Sequence, residues 1–203
     1  MASITMTTFL TLDGVMQAPG GLEEDRTDGF DLGGWLVPYV DDVFGQYVTE
    51  WFEPADAFLL GRRTYDIFAA TWPHNTDDVV APKLNNLPKY VASHTLTDPE
   101  WKNTTVIRDV VNDVRELKTK PFREIQVHGS GRLAQTLMDN DLIDEYRLWV
   151  FPVFLGRGRR LFGDGRVPTA LTLVEAKTTS MGVVVSTYRP DGRARFGELP
   201  VGG

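Results

Sequence analysis

A chain of 203 residues with 42% hydrophobic and 24% charged residues is long enough to bury a substantial core and is expected to form one domain. Its 28 acidic against 21 basic residues leave a formal net charge of −7, which argues against a general nucleic-acid or anionic-membrane surface. With no cysteine present, disulfides, thiolate metal sites, iron–sulfur clusters and a cysteine nucleophile are excluded. An anionic ligand must therefore meet a local cluster of positive charge. The N-terminus lacks a basic region and no run is long enough to span a bilayer, so a cytoplasmic location is expected.

Residues 3–12 alternate and are rich in Thr, Ile and Phe, which predicts a first strand. The turn-rich residues 13–34 follow as a long loop, a candidate for closing over a ligand. Between Pro38 and Glu53, apolar residues recur at spacings of three and four, the pattern of an amphipathic helix. "ADAFLLG" reads as a short buried strand ending at Gly61, "RRTYDIFAATW" as a helix stopped by Pro73, and Lys89–Ser93 and Thr104–Ile107 as two further strands. "DVVNDVRELK" is helical, "EIQVHG" is a strand, and "RLAQTL" starts another helix. "YRLWVFPVFL" is the longest strand candidate, and residues 170–190 read as two strands joined at Met181-Gly182. Strand–helix alternation followed by strands alone predicts an α/β fold: a mostly parallel sheet with helices on both faces and an antiparallel C-terminal hairpin at one edge. Residues 1–190 are expected to form the domain and residues 191–203 a loose tail.

Two junctions share one design, a buried strand, a glycine, an arginine and then a helix: "FLLGRRTY" and "VHGSGRLA". A helix N-terminus offers free amide donors and the positive end of a dipole, and glycine admits close approach of a phosphate. Arginine adds fork-shaped donors for phosphate oxygens. Gly129-Ser130-Gly131-Arg132-Leu133-Ala134 also fits the GxGxxG/A letters of a dinucleotide-binding turn. That fold, however, wants the turn in its first βα unit and an acidic residue at the end of the next strand, whereas Asp144 and Glu145 begin one. "HGSG" is not the elbow of a serine hydrolase, because His128 and Arg132 replace its glycines. His74, His94 and His128 lack metal-ligand spacing, so no metal site is expected. The "GRGRRLFGDGR" segment offers an anion site or, as the stronger expectation, a shaped loop, and Trp35, Trp51 and Trp72 line either a pocket or the core.

In order along the chain, "TLDG", "LLGRRTYDIF", "YVAS", "VHGSGRLAQTL" and "LIDEYRLWVFPVFLGRGRRLF" resemble the dihydrofolate-reductase-like superfamily. Within it they are most similar to the reductase domain of the bifunctional riboflavin-biosynthesis deaminase-reductase. The resemblance runs from Ile4 to about Tyr188, and no deaminase zinc motif accompanies it. It implies a homodimer and an NADP(H) site. Gly61, Arg62, Arg63 and Thr64 match the turn for the adenine-side phosphates, and Ser93, His94 and Thr95 match the strand end near the ribose 2′-phosphate. Residues His128, Gly129, Ser130, Gly131, Arg132 and Leu133 match the turn for the pyrophosphate and nicotinamide side, and Leu12, Asp13 and the residues to Gln17 match the mobile loop over the nicotinamide. Arg62, Arg63 and His94, without an acidic ribose partner, favour NADP over NAD; on that assignment Arg63→Ala weakens NADPH and spares NADH. Ser130 stands where folate reductases carry the second glycine of a strained pair, so the Gly129-Ser130 peptide invites inspection for a cis bond.

The substrate side departs from the folate-reducing branch. Its helix carboxylate falls at Gly45 here, and Leu87 and Pro88 occupy the region of its tail-binding arginine. The implied reaction is hydride transfer to a small heterocycle, pterin- or pyrimidine-like, or to a carbonyl compound, in which proximity and exclusion of water supply most of the rate. Asp13, Asp41, Asp42 and Glu50 are the candidate proton donors. The alternative is an NADP(H)-binding protein without turnover, acting as a sensor or interaction module.

Overall fold

Threonines and apolar residues alternate in Ser3–Thr11, and this strand, β1, is buried on both faces along almost its whole length, the environment of a central strand. The computed structural model describes residues 1–75 and 77–199. In chain order follow α1 (Asp42–Phe52), β2 (Ala55–Gly61), α2 (Arg62–Thr71), α3 (Ala81–Asn86), β3 (Lys89–Ala92), β4 (Thr104–Ile107), α4 (Val110–Leu117), β5 (Glu124–His128), α5 (Gly131–Asp139), β6 (Glu145–Phe151), β7 (Thr169–Thr178) and β8 (Val184–Arg193). They build one sheet in the order β4-β3-β2-β5-β1-β6-β8-β7. The first six strands of that order are parallel. β8 runs antiparallel to β6 and to β7, so the hairpin sits at one edge as the sequence predicts.

Helices cover both faces. On one, α4 and α5 bury Val114, Leu117, Leu133, Ala134 and Leu137 against Ile4, Met6, Leu59, Ile125 and Val127. On the other, α1, α2 and α3 pack Phe52, Tyr65 and Leu84 on Phe58, Leu60 and Val91. Further along this second face, Phe44, Tyr47 and Trp51 of α1 meet Trp149 and Phe151, with the Trp51 and Trp149 rings edge-on at 4.5 Å. Trp35, Trp51 and Trp72 thus all join apolar clusters.

Apart from shifts of one residue at strand ends, three boundaries differ from the sequence reading. The α1 helix begins at Asp42, because Asp41 caps it by accepting from the Phe44 N–H at 2.6 Å; Pro38 lies in a separate short turn. β6 ends at Phe151, where Pro152 removes the next ladder donor. β8 continues through Asp191, Gly192 and Arg193, the first three residues assigned to the tail; residues 200–203 of that tail lie outside the described residues.

The short α3 was missed because six residues carry too little periodicity. Lys89, fully buried at the start of β3, holds its C-terminal end. Its ammonium donates to the carbonyls of Leu84 and Leu87 at 2.8 and 2.9 Å and lies 4.4 Å from the centre of the Trp101 ring. Helix-end carbonyls have no intrahelical partner. Lys89→Met, which keeps the volume and removes the donor, is therefore expected to cost about 2–3 kcal/mol in urea unfolding.

Candidate functional site

β2 and β5 are neighbours in the sheet, yet the helices that leave them, α2 and α5, pack on opposite faces. Their carboxyl ends consequently diverge, and a crevice at such a point is the usual ligand site of an open α/β sheet. Gly61 and Gly129-Ser130, the two glycine turns singled out in the sequence, stand at its two sides.

Hydrogen bonds join these turns. The Ser130 hydroxyl accepts from the Gly61 N–H at 2.9 Å and donates to the His128 carbonyl at 2.8 Å. In return the Thr64 hydroxyl accepts from the Ser130 N–H at 3.1 Å. Holding this bridge requires left-handed backbone at both Gly129 (φ 53°) and Ser130 (φ 54°), which glycine adopts freely and serine at a cost of roughly 1 kcal/mol. The described residues contain no cis peptide bond, so the Gly129-Ser130 bond is trans. The first amides of α2 and α5 therefore open side by side into the crevice, with two positive dipole ends together.

The long loop covers this point. A β-carbon at Gly131 would lie 2.9 Å from Met16 Sδ, so the glycine is what lets the loop rest on the first turn of α5. The "GRGRR" segment is the loop's anchor, in agreement with the shaped-loop expectation. Arg157 pairs with Asp31, Arg159 with Asp25 and Asp28, and Arg160 with Asp13. Gln17 is spent inside the loop: its amide donates to the carbonyls of Asp25 and Thr27 and accepts from the Arg159 N–H. Leu12 is left exposed at the end of β1.

The arginines divide. Arg63 is exposed and lies 3.6 Å from Asp25, whose side chain is buried beneath the loop. It faces the long loop through this contact. Arg62 pairs with Asp66 one turn along α2. Ser93, His94 and Thr95 form a tight turn beyond β3, with the Ser93 hydroxyl accepting from the amides of Thr95 and Leu96. Arg108, absent from the sequence reading, wraps this turn by donating to the carbonyls of Ser93, His94 and Leu96. Its signal was a basic residue one step past the strand "TTVI", beside the end of β3. At the α5 turn, Arg132 is exposed, while the Leu133 side chain is in the core.

The four carboxylate candidates are not gathered in the crevice. Asp13 accepts from the Thr11 hydroxyl and from the amides of Leu155 and Gly156; although burial pushes its pKa up, these bonds outweigh it and hold the group at about 2. An acid so strong is fully ionised at neutral pH. Asp41 caps α1 and accepts from Ser180, whose hydroxyl, ahead of the Phe44 amide, lowers its pKa. Asp42 is exposed, and Glu50 pairs loosely with Lys177 at 3.7 Å. Gly45, at the position of the folate-branch carboxylate, faces open space.

His128 contributes to the turn by its carbonyl; its side chain lies on the opposite, α1 and α2, side, stacked on Phe52 at 4.8 Å. A chain of buried polar groups extends from it: His128 Nε2 to Gln126 Oε1 at 3.0 Å, Gln126 Nε2 to Glu124 at 2.5 Å, Glu124 to Arg147 through two bonds of 2.7 and 2.8 Å, and Arg147 to Glu145. Glu124, Gln126 and His128 alternate along β5, and all three are buried. Burial, and then the charge of Arg147, push the His128 pKa down to about 3. The unfolded chain, with histidine near 6.5, binds a proton that the folded chain refuses between those values. Folding stability therefore falls as the pH drops through that window. Between pH 7 and pH 5 the wild type is expected to lose about 2 kcal/mol more than His128→Phe in urea unfolding.

An open groove of about 800 Å³ along the outer side of α2 is lined by Arg62, Tyr65, His74, Glu100 and Trp101 among others; it carries mixed charges and reaches the first glycine turn at Arg62. No helix among the described residues is long and apolar enough to cross a membrane.

Comparison with known proteins gives a consistent likeness. The model of the RibD C-terminal domain family matches residues 2–185. The uncharacterized protein YyaP of Bacillus subtilis (strain 168) is 30% identical over 187 residues, covering 90% of this chain and 92% of that protein. YwjB from the same organism is 25% identical over 158 residues, covering 76% and 85%. Among solved structures, a protein assigned to riboflavin biosynthesis from Shewanella sp. PV-4 superposes with a TM-score of 0.67 at 22% identity, covering 93% of this chain and 99% of that one. A pyrimidine reductase-like protein from Corynebacterium diphtheriae gives 0.61 at 12% identity, covering 94% and 92%. At these identities the structural likeness speaks for the fold.

Proposed function

Because this chain belongs to the RibD C-terminal domain family and has the dihydrofolate-reductase-like fold, we propose that it is an NADPH-dependent reductase of a small flat heterocycle or carbonyl compound. The observation that carries the reading is the crevice between β2 and β5. Two helix N-termini are stapled there by Ser130 and Thr64, with Arg62, Arg63, Arg132 and Arg108 around them. On a chain of net charge −7, this concentration of donors and cations suits a dinucleotide of several negative charges.

The donor set fits that cofactor in three places. Amides of α2 and α5, with Arg63 at the loop side, would hold the pyrophosphate. The Ser93–Thr95 turn with Arg108 would hold the ribose 2′-phosphate. Leu12 and Met16 offer apolar surface at the end of β1 for the nicotinamide. The bound cofactor supplies the hydride. The chain's own part is to align the acceptor and to exclude water, which the anchored loop does by covering the first turn of α5. Asp13 is already ionised and tied to the 155–156 backbone, so the proton that completes reduction comes from solvent. With Gly45 in place of a helix carboxylate, dihydrofolate is disfavoured as substrate.

We assign the protein to the cytoplasm as a homodimer. The outer strand β7 supports the second part, since it leaves Leu173 and Val174 half-exposed on a long unpaired edge; light scattering tests it. The missing helix carboxylate favours a second reading, a protein that binds NADPH without turnover. Calorimetric titration with NADPH followed by oxidation assays against pterin, pyrimidine, quinone and carbonyl acceptors separates them. Binding with turnover of one class supports the reductase, binding with none supports the second reading, and absence of binding removes both.

A further inference from the structure

The chain carries five methionines and no cysteine, so an oxidant that attacks sulfur finds only thioethers. Met6 is sealed in the core, Met138 is half-buried against it, and Met1 and Met181 are exposed. Met16 is half-buried as well, but it lies where the long loop rests on the second glycine turn. Its sulfur touches the first turn of α5 so closely that a β-carbon at Gly131 would stand 2.9 Å from Sδ and 3.7 Å from the methyl carbon.

An oxygen added to that sulfur has little choice of position. On the sheet side Met16 packs against the apolar cluster that holds Ile4, Met6 and Leu133, where a polar atom without a partner is costly. The backbone cannot carry the side chain away. The Met16 N–H donates to the Arg159 carbonyl at 2.8 Å, and Val15, fully buried, is tied to Thr11 through its carbonyl and its N–H at 2.9 Å each. Gln17 on the other side is held by Asp25, Thr27 and Arg159. What remains is the crevice side, where the amides of Gly131, Arg132 and Leu133 open α5 without intrahelical partners. A sulfoxide oxygen carries partial negative charge and accepts hydrogen bonds, which a helix start favours. Lodged there, it takes up donors that a dinucleotide phosphate needs and puts a polar group where the side chain offered apolar surface.

We propose that Met16 is an oxidation site that controls cofactor binding: a peroxide converts its thioether to the sulfoxide, and the sulfoxide closes the α5 turn to the dinucleotide. In the step itself a sulfur lone pair attacks one peroxide oxygen and the O–O bond breaks. That oxygen stays on sulfur, and its proton passes to the departing hydroxide to give water. Sulfur is oxidised by two electrons and the peroxide is reduced by two. The inference rests on the reading of the crevice as a dinucleotide site and adds to it a means of regulation, in which peroxide slows the protein's own use of NADPH.

The test follows the full chain in millimolar hydrogen peroxide, with sulfoxide at each methionine quantified by mass spectrometry of its peptides and cofactor affinity measured by calorimetry. Met1 and Met181 are expected to react first and to leave the affinity unchanged. As Met16 reacts, affinity for NADPH and NADH alike is expected to fall by about tenfold or more, the scale of lost charge-assisted hydrogen bonds. Methionine sulfoxide reductases of both stereospecificities, added together, are expected to restore it. Each variant is compared with its own untreated form: Met181→Leu is expected to lose affinity as the wild type does, and Met16→Leu to lose none. Met16→Gln, which sets a polar acceptor at the same depth without oxidant, is expected to keep the wild-type circular dichroism and to bind NADPH about as weakly as the oxidised protein. Full oxidation of Met16 without loss of affinity, an equal loss in treated Met16→Leu, a Met16 that reacts no faster than the buried Met6, or wild-type affinity in Met16→Gln overturns the proposal. The untreated wild type is titrated with NADPH first: absence of binding there removes the functional reading, while normal binding that survives oxidation of Met16 removes this inference alone.

Discussion

Replacing Arg147 with methionine is expected to lower stability by about 3–5 kcal/mol, the scale of a buried ion pair broken on one side. The guanidinium bonds both oxygens of Glu124 and also reaches Glu145 at 2.8 Å. All three side chains are buried to about nine-tenths. Glu145 keeps a second partner in the exposed Arg189 at 3.1 Å, but Glu124 would be left with only the Gln126 amide. An uncompensated carboxylate in that position either stays charged at a high desolvation cost or takes up a proton. The double variant Arg147→Met with Glu124→Gln removes both charges and is expected to recover a good part of the loss. A single variant as stable as the wild type in urea unfolding, or a double variant no better than the single, would contradict this account of the network. Since this series of hydrogen bonds ends at His128, the single variant should also loosen the ring beside the glycine turn.

The second large effect concerns the choice between NADPH and NADH. Arg108→Ala is expected to weaken NADPH by roughly 10- to 100-fold more than NADH, the loss of a charge-assisted hydrogen bond of about 1.5–3 kcal/mol. Arg108 holds the Ser93–His94 turn by three carbonyls, so some loss is common to both cofactors, and the difference between them is the informative quantity. Arg63→Ala, in contrast, is expected to weaken both cofactors alike, because Arg63 lies beside Asp25 and the loop, where the shared pyrophosphate would sit. The sequence alone suggested the reverse for Arg63. Affinities from calorimetry decide: equal losses of NADPH and NADH in Arg108→Ala, with a selective loss in Arg63→Ala, would restore the sequence assignment.

Much of the fold was legible because its strands and helices announce themselves locally. The alternation of residues 3–12, the helical spacing between Val40 and Phe52, and the glycines at the ends of β2 and β5 each reflect a near-neighbour rule. The two glycine turns were found for the same reason. What escaped was set by partners distant in sequence. Arg108 acts on a turn that begins fifteen residues earlier at Ser93, Ser130 reaches back to Gly61, and the three arginines of the 157–160 loop find their carboxylates between Asp13 and Asp31. Asp13 looked like a proton donor because an acidic residue beside a glycine at a strand end suits either a turn or a site; its four hydrogen-bond donors show that it anchors the 155–160 segment. The buried network of His128, Gln126 and Glu124 had no signal in the sequence, since alternation with Ile125 and Val127 is what a half-exposed strand also shows.

The central claim is that a nicotinamide dinucleotide binds in the crevice between β2 and β5 through the amides of both helix starts. Titrating the uniformly ¹⁵N-labelled chain with NADPH tests it most directly. The amide resonances of Gly61–Thr64 and Gly131–Leu133 are expected to shift together and saturate at one affinity, with the Ser93–Thr95 amides moving for NADPH and less for NADH. Saturable binding that leaves both helix starts unmoved, or no binding at millimolar NADPH, would contradict it.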